Sequence, residues 1–291
     1  MGEVTPETHP RQSRTAALAS LHAAVALFGF AGLFGRWIAL PPTAIVLGRT
    51  VVAAAALGTL LAIRGRRRMR FEWQLGSNGA LLALHWVAFF QAIQLAGVAI
   101  GLLGFATFPG FVLLLEWAFL RRRTRVGEWV LAAIAMGGLA LIVPDFHLAD
   151  HVVQGVLWGV LAGATFALLA VGNRALASRR EPREIAFWQN ACAAICLLPI
   201  LLLVPAMPST RDVGLIVVLG LLCTALAHTL FIRSLRTLSA HTASVVTTME
   251  PVYGIALAAA LLGEIPSAAT LAGGVLTIGA AMWATLSAPR T

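Results

Sequence analysis

Glu250 and Pro251 are the residues hardest to place without a function. They lie inside residues 247–267, TTMEPVYGIALAAALLGEIPS, an apolar run long enough to cross a bilayer and closed by Gly263-Glu264-Ile265-Pro266. An ionisable side chain and a helix-disturbing proline at membrane depth are both costly. Glu250 could hold a substrate ammonium or exchange a proton. It could equally tie helices together through a hydrogen bond or an arginine partner. Pro251, and Pro109 in an earlier apolar run, each free a backbone carbonyl one turn upstream, so a kink is expected, with a polar-lined cavity as its consequence.

Other polar or aromatic residues sit at comparable depth. His85 and His228 lie well inside two further apolar runs. A single membrane histidine is often just hydrogen-bonded to a neighbouring helix, but two at equivalent places favour a lined cavity. No carboxylate or cysteine stands at ligand spacing on the same helix, so no metal site and no cofactor are expected. Trp86, Phe89, Trp158 and Tyr253 are candidates for an aromatic wall suited to an aromatic or aliphatic amino acid, against ordinary packing as the plainer reading. Ser244, Thr248 and Pro251 fall at i, i+4, i+7, with Thr247 beside them, a small polar face that should look inward. Arg49 is expected to snorkel outward or pair internally, with the acidic loop around 144–151 as one partner, in a structural or gating role. Glu116 and Arg174, near helix ends, are expected to snorkel. Gly101 and Gly104, at i, i+3, predict close helix approach, with Gly97 and Gly110 in the same stretch.

These residues must be positioned by membrane helices. The chain has 291 residues, is 59% apolar and only 11% charged, against roughly a quarter charged in soluble domains. Apolar runs of about twenty residues recur with hardly a break. The alternation of a transmembrane β-barrel is absent. Residues 1–14 are polar and no small-residue cleavage site follows, so a cleavable signal peptide is not expected. Ten spans are predicted, at 15–38, 43–63, 75–96, 98–120, 127–144, 153–176, 184–205, 212–235, 241–262 and 267–287. Cys192, Cys196 and Cys223 all fall inside them and read as small apolar residues rather than disulfide partners.

The net charge is +9 and all 21 basic residues are arginine. They cluster in short loops, which argues for orientation and contact with anionic lipid and against nucleic-acid binding. With the N-terminus inside, 17 arginines fall in inner segments and only Arg36 and Arg211 in outer ones. That bias fits an even number of spans with both termini cytoplasmic. Trp37, Trp73, Trp117 and Trp129 fall near span ends, as an interfacial belt would.

A shift of about 140 residues superimposes the halves. Phe108-Pro109-Gly110-Phe111 lies over Glu250-Pro251-Val252-Tyr253, Pro42 over Pro182, Arg49 over Gln189 and Phe89 over Phe231; Gly35-Arg36 lies over Gly172-Asn173 at a slightly different shift. With five spans in each half, the second enters the membrane from the opposite side. The predicted fold is therefore an all-α polytopic membrane protein of two inverted five-helix repeats, 15–145 and 152–288, after an N-terminal cytoplasmic tail, 1–14. This plan is typical of transporters that alternate access around a midplane site.

The run Met249-Glu250-Pro251-Val252-Tyr253 with Leu261-Leu262-Gly263-Glu264, on ten spans in two halves, resembles the EamA-type transporters of the drug/metabolite transporter superfamily. The resemblance covers almost the whole chain. Arg49 and the Gly35-Arg36-Trp37 and Pro41-Pro42 stretch match as well. The first half departs from the pattern: Pro109 is kept, but Leu120-Arg121 replaces the Gly-Glu and a carboxylate appears earlier, as Glu116. Arginine-rich inner loops and His85-Trp86 with Phe89-Phe90 look most like the YddG-type bacterial exporters of aromatic and other amino acids.

The resemblance implies efflux of small metabolites, amino acids among them, across a bacterial inner membrane. The expected partners are an amino acid-like solute and the lipid bilayer, without nucleic acid and with a monomer as the working unit. His85, Trp86, Phe89, Trp158, His228, Ser244, Thr248 and Tyr253 are the candidate substrate contacts. Glu250, Arg49, Pro109 and Pro251 are the candidate coupling or gating residues. A drug or other-metabolite exporter of the same fold is the nearest alternative. An intramembrane enzyme would need a nucleophile, acid-pair or metal constellation that the sequence lacks. No nucleotide-binding GxxxxGK[ST] is present, and no charge ring or filter loop suggests a channel.

Overall fold

A computed structural model describes residues 13–65, 70–119, 124, 126–141, 150–203 and 207–286. The tail before Ser13, Arg66 to Arg68, the Leu120-Arg121 pair with Arg122, Arg123 and Arg125, the loop residues Pro144 and Asp145, and Arg290 lie outside them. The described residues form helices joined by short connections, without strands. The helices are α1 (Arg14–Trp37), α2 (Pro42–Ile63), α3 (Trp73–Phe105), α4 (Phe108–Ala118), α5 (Val126–Ala140) and α6 (His151–Ala177). They continue as α7 (Pro182–Leu203), α8 (Thr210–Gly220), a π-helical stretch (Leu221–Leu226), α9 (Ala227–Ser234), α10 (Ala240–Thr247), α11 (Glu250–Leu262) and α12 (Ala268–Leu286). Among the described residues, six stretches are long and apolar enough to cross a membrane: Arg14–Trp37, Pro42–Ile63, Trp73–Ala118, His151–Ala177, Thr210–Ser234 and Ala240–Leu262. Val126–Gly138 and Ala268–Ala280 are shorter apolar helices.

Polar residues start several helices. The Ser13 side chain accepts the Ala16 N–H at 3.2 Å, Asp150 that of Val152 at 2.7 Å, and Ser239 that of Thr242 at 3.0 Å. Ser209 and Asp212 bond each other's backbone N–H in a reciprocal capping box. These caps satisfy first-turn donors that have no partner within their own helix.

Trp73–Ala118 has 46 residues, about 69 Å if straight and more than twice the hydrocarbon thickness. The chain turns back at Gly97, whose φ of 85° and ψ of 170° interrupt α3. A Cβ on Gly101 would stand 3.1 Å from the Ile93 nitrogen, a proximity possible only if the helix reverses after residue 96. Only glycine adopts that backbone pair readily. Gly104, for its part, brings α3 against Gly159 of α6, where a Cβ would lie 3.0 Å from the Gly159 Cα.

Both prolines stand at breaks rather than kinks. Ala106-Thr107 and Thr248-Met249 interrupt the helices, and Pro109 and Pro251 occupy the first turns of α4 and α11. In a first turn proline has no intrahelical N–H to lose. The expected bend within one continuous helix is therefore replaced, in both halves, by two short helices meeting at a turn. The expected 212–235 span is one continuous helical run, Thr210–Ser234, with a π-helical stretch in its middle.

The packing respects an exchange of halves. α1 packs on α11 and α9, while α6 packs on α4 and on α3; α2 pairs with α7 and α5 with α12. Swapping α1 with α6, α3 with α9 and α4 with α11 maps these contacts onto themselves. The main core runs through all the inner helices, with Phe34, Phe90, Phe108 and Phe231 among its largest wholly buried side chains. α5 and α12 lie at the margin with much exposed apolar surface, including Val130, Ile134, Leu271 and Val275. Trp73, Trp117 and Trp129 are exposed, as a belt requires, whereas Trp37 packs against Phe30 and Phe34.

Candidate functional site

A narrow cavity of about 20 Å³ lies at the meeting of α1, α2, α3, α6, α9 and α11. Its walls are Phe28, Ala31, Arg49, His85, Trp86, Phe89, Phe105, Phe166, His228 and Glu250. Phe28 contacts Phe166, and Phe166 contacts Phe105 and Phe231, in edge and tilted arrangements with centroids 5.0 to 6.2 Å apart. Apolar walls with a few convergent polar groups are the usual make-up of a small-molecule site.

Arg49 enters from α2 and is 1% exposed. Its Nε donates to Thr224 Oγ1 at 2.8 Å and its Nη2 to the Cys223 carbonyl at 3.1 Å. The guanidinium carbon stands 4.0 Å from the centre of the Trp86 ring, within cation–π range. The π stretch makes this possible. The Ala227 N–H reaches back to the Leu222 carbonyl rather than to that of Cys223, which leaves the latter available to the guanidinium. Thr224 Oγ1 meanwhile donates to Leu219, which turns its lone pairs toward Arg49. Arg49 therefore neither snorkels nor reaches an outer loop. Its contacts inside the bundle use only two of its five N–H groups.

Glu250 is the first residue of α11 and is 3% exposed. The helix N-terminus offers a favourable field for a carboxylate there. α11 comes close enough for this because Gly29 and Gly254 let the backbones touch: a Cβ on Gly29 would lie 3.0 Å from the Glu250 carbonyl oxygen. Glu250 and Arg49 feel each other's charge, yet among the described residues no ion pair within 4 Å joins them. The guanidinium and the carboxyl face one cavity with a gap between them.

The histidines are each held by one ring nitrogen. His85 Nδ1 donates to the Ala162 carbonyl at 2.9 Å, and the ring stacks on Phe166. His228 Nε2 lies 2.9 Å from Gln189 Oε1.

Residues 15–143 and again 153–286 match the EamA-like transporter family. The chain belongs to this family. It is 29% identical to the uncharacterized transporter YwfM of Bacillus subtilis (strain 168) over 278 residues, 90% of this chain and 94% of that protein. It is 29% identical to the pseudopaline exporter CntI of Pseudomonas aeruginosa over 203 residues, 69% of this chain and 70% of the exporter. The S-adenosylmethionine uptake transporter of Rickettsia conorii is 24% identical over 201 residues, 69% of this chain and 67% of that protein. A crystal structure with 20% sequence identity shares the fold at a TM-score of 0.72, covering 94% of this chain and 98% of its own. The family and these named relatives are transporters, and the chain is a multi-pass membrane transporter of this type.

In this EamA-family chain the cavity gathers six of the sequence candidates: His85, Trp86, Phe89, His228, Arg49 and Glu250. Trp158 is half-buried against the core and Tyr253 likewise, and neither lines the cavity. The polar face of α10 turns its hydroxyls onto its own backbone. Ser244 donates to the His241 carbonyl at 2.7 Å, Thr248 to that of Val245 at 2.6 Å and Thr247 to that of Ala243 at 2.9 Å. Such bonds satisfy a buried hydroxyl without any solute. Pro109 and Pro251 are buried at the helix breaks and act through backbone shape. Glu116 is buried rather than snorkelling, and Arg174 donates to the Leu235 carbonyl.

Sequence reasoning missed Phe28, Phe105 and Phe166, which look like any lipid-facing aromatic in an apolar run. It also missed two polar ties at opposite ends of the bundle. At one, Glu264 accepts from Arg36 Nε at 2.7 Å and from the Val98 N–H at 3.0 Å, just after Gly97. Gly263, left-handed at φ 68°, turns the chain so that Glu264 can reach them. At the other, Arg180 pairs with Glu72 and with Glu184, the latter at 2.8 Å. The Arg180 bond holds the Glu72 carboxyl below its ordinary range, and the same bond raises Arg180. Arg236 adds bonds to the Ala177 and Arg180 carbonyls.

Proposed function

We propose that this chain carries small zwitterionic amino acids, aromatic or otherwise neutral, across the inner membrane of a bacterium as a secondary transporter or facilitator. The observation that carries the reading is the separation of Arg49 and Glu250. Both are buried, both face one cavity, and neither neutralises the other by contact. An α-amino acid supplies the missing counterparts, a carboxylate for the spare N–H groups of Arg49 and an ammonium for Glu250. The Phe28, Phe89, Phe105 and Phe166 rings then receive the apolar side chain. A buried unpaired charge is costly, so a solute that completes both pairs is selected over one that completes neither.

The proposed topology is ten crossings in two inverted five-helix repeats with both termini cytoplasmic. The exchange symmetry of the packing, the two stretches that match the family and the distribution of arginines support it. The Glu264 and Arg180 ties then lie on opposite membrane faces, and alternating access opens one while the other holds. The direction proposed is export, as in the pseudopaline exporter among the relatives, and the substrate class follows the likeness to the YddG-type exporters.

The test is flux in proteoliposomes with a panel of amino acids, with and without a pH gradient. The expected result is saturable transport of neutral amino acids, with competition among them. Transport of unrelated solutes without competition from any zwitterion overturns the reading.

A further inference from the structure

Behind His228 a chain of buried amides runs toward the Arg180 end of the bundle. Asn78 Nδ2 donates to Asn173 Oδ1 at 3.2 Å, and Gln189 Nε2 donates to the same oxygen at 2.6 Å. The other end of the Gln189 amide, Oε1, meets His228 Nε2 at 2.9 Å. Asn173, Gln189 and His228 are essentially unexposed. Asn173 Nδ2 is left with no partner. A buried donor left unsatisfied is uncommon and costs free energy. Here it accompanies the turning of the Asn173 oxygen to both neighbours, the orientation in which Asn78 and Gln189 both donate.

That orientation decides the chemistry of the cavity. With its amino group committed to Asn173, Gln189 offers His228 only an acceptor, so the imidazole proton sits on Nε2. The other nitrogen, Nδ1, is then left as an acceptor on a ring that lines the cavity. His85 reaches the same state by the opposite tautomer, since a backbone carbonyl also only accepts: its proton is on Nδ1 and Nε2 is left as the acceptor on a ring that lines the cavity. Neither of these acceptor nitrogens has a protein partner among the described residues. We propose that Gln189, oriented by Asn173, is a positioning residue that locks His228 as a hydrogen-bond acceptor, so that the two histidines and Glu250 select a primary ammonium over an N-methylated one. This rests on the amino-acid reading of the cavity. A primary ammonium has three N–H donors for three acceptors; a trimethylammonium group has none and leaves all three desolvated and unmatched.

The test has two arms. In the first, nitrogen-15 NMR of histidine-labelled protein in lipid, without substrate, reads which His228 nitrogen carries the proton in the wild type, Gln189→Leu and Gln189→Glu. The second measures competition by L-phenylalanine and by N,N,N-trimethyl-L-phenylalanine against amino-acid flux in proteoliposomes. The wild type is expected in the Nε2–H form with a preference for the primary amine of at least about tenfold, the effect of one charge-assisted hydrogen bond. Gln189→Leu is expected to lose both the single tautomer and most of the preference. Gln189→Glu still accepts from Nε2 but has no N–H for Asn173 Oδ1, so it is expected to keep the proton on Nε2 while losing part of the preference. An Nδ1–H wild type overturns the proposal, and that measurement needs no variant to fold. So does a Gln189→Leu protein with unchanged tautomer and unchanged preference. An Nε2–H wild type that transports amino acids but does not distinguish the two phenylalanines overturns the selection. If it is Nε2–H and phenylalanine in neither form competes, the positioning of His228 stands and the amino-acid reading of the cavity falls.

Discussion

Glu250→Gln separates a binding role from a structural one. The substitution keeps the shape of the side chain and removes its charge. In the structure Glu250 makes no ion pair within 4 Å among the described residues, and Arg49 keeps its bonds to Thr224 and Cys223 and its stacking on Trp86 whatever Glu250 carries. Removing the charge also removes the cost of desolvating it. Folding should therefore change little, with a melting temperature in detergent within about 4 °C of wild type, the shift that about 1 kcal/mol produces in a chain of this size class. Binding should change much more. A charge-assisted hydrogen bond from a substrate ammonium is worth about 1.5–3 kcal/mol, so the variant should need about 10- to 150-fold more amino acid for half-maximal flux. The assay is concentration-dependent flux in proteoliposomes at several pH values, beside thermal melting of the same preparations. A variant with wild-type half-saturation at every pH refutes the reasoning. A variant that melts far lower, with affinity unchanged in the folded fraction, makes Glu250 a structural link.

Four further outcomes follow from the same geometry. Arg49→Lys keeps the charge but not the planar fork that reaches Thr224 and Cys223 together, so half-saturation for amino acids should rise about tenfold or more and the melting temperature should fall. Trp158→Ala should leave the amino-acid competition profile unchanged, because Trp158 lines no part of the cavity, while lowering stability through lost packing; an altered profile would place it at the substrate. Gly97→Ala puts a side chain on a backbone at φ 85° and ψ 170°, at a cost of about 1–3 kcal/mol, and thermal melting should show it. Glu72 has a depressed folded pKa, so its contribution is present above the ordinary carboxylate value and is lost as pH falls through the folded one. The wild type and Glu72→Gln should thus differ in stability by a constant amount at neutral pH and converge only in strong acid, as read from melting curves across pH.

The sequence alone determined that this is a membrane protein. Its apolar runs, its arginine-only loops and the cost of Glu250 and Pro251 at depth are readable without coordinates, because a bilayer imposes length and charge rules on each segment separately. The repeat was legible too, from Pro109 over Pro251 and Arg49 over Gln189, since a constant offset is a property of the string. The facing of each helix was not. In a soluble helix the apolar stripe marks the core, but here lipid and core are both apolar, so Phe28, Phe105 and Phe166 carry no mark that sets them apart from lipid-facing Val130 or Leu271. Ser244 and Thr248 do turn inward, as their spacing suggested, but their bonds to their own helix are not written in the sequence. Tertiary structure alone decided that Arg49 meets Thr224, 175 residues away, through a π stretch that nothing in Leu221–Leu226 announces. It also decided that Gln189 meets one nitrogen of His228. Both depend on which helices pack together, and side-chain hydrogen bonds between distant segments leave no period in the sequence.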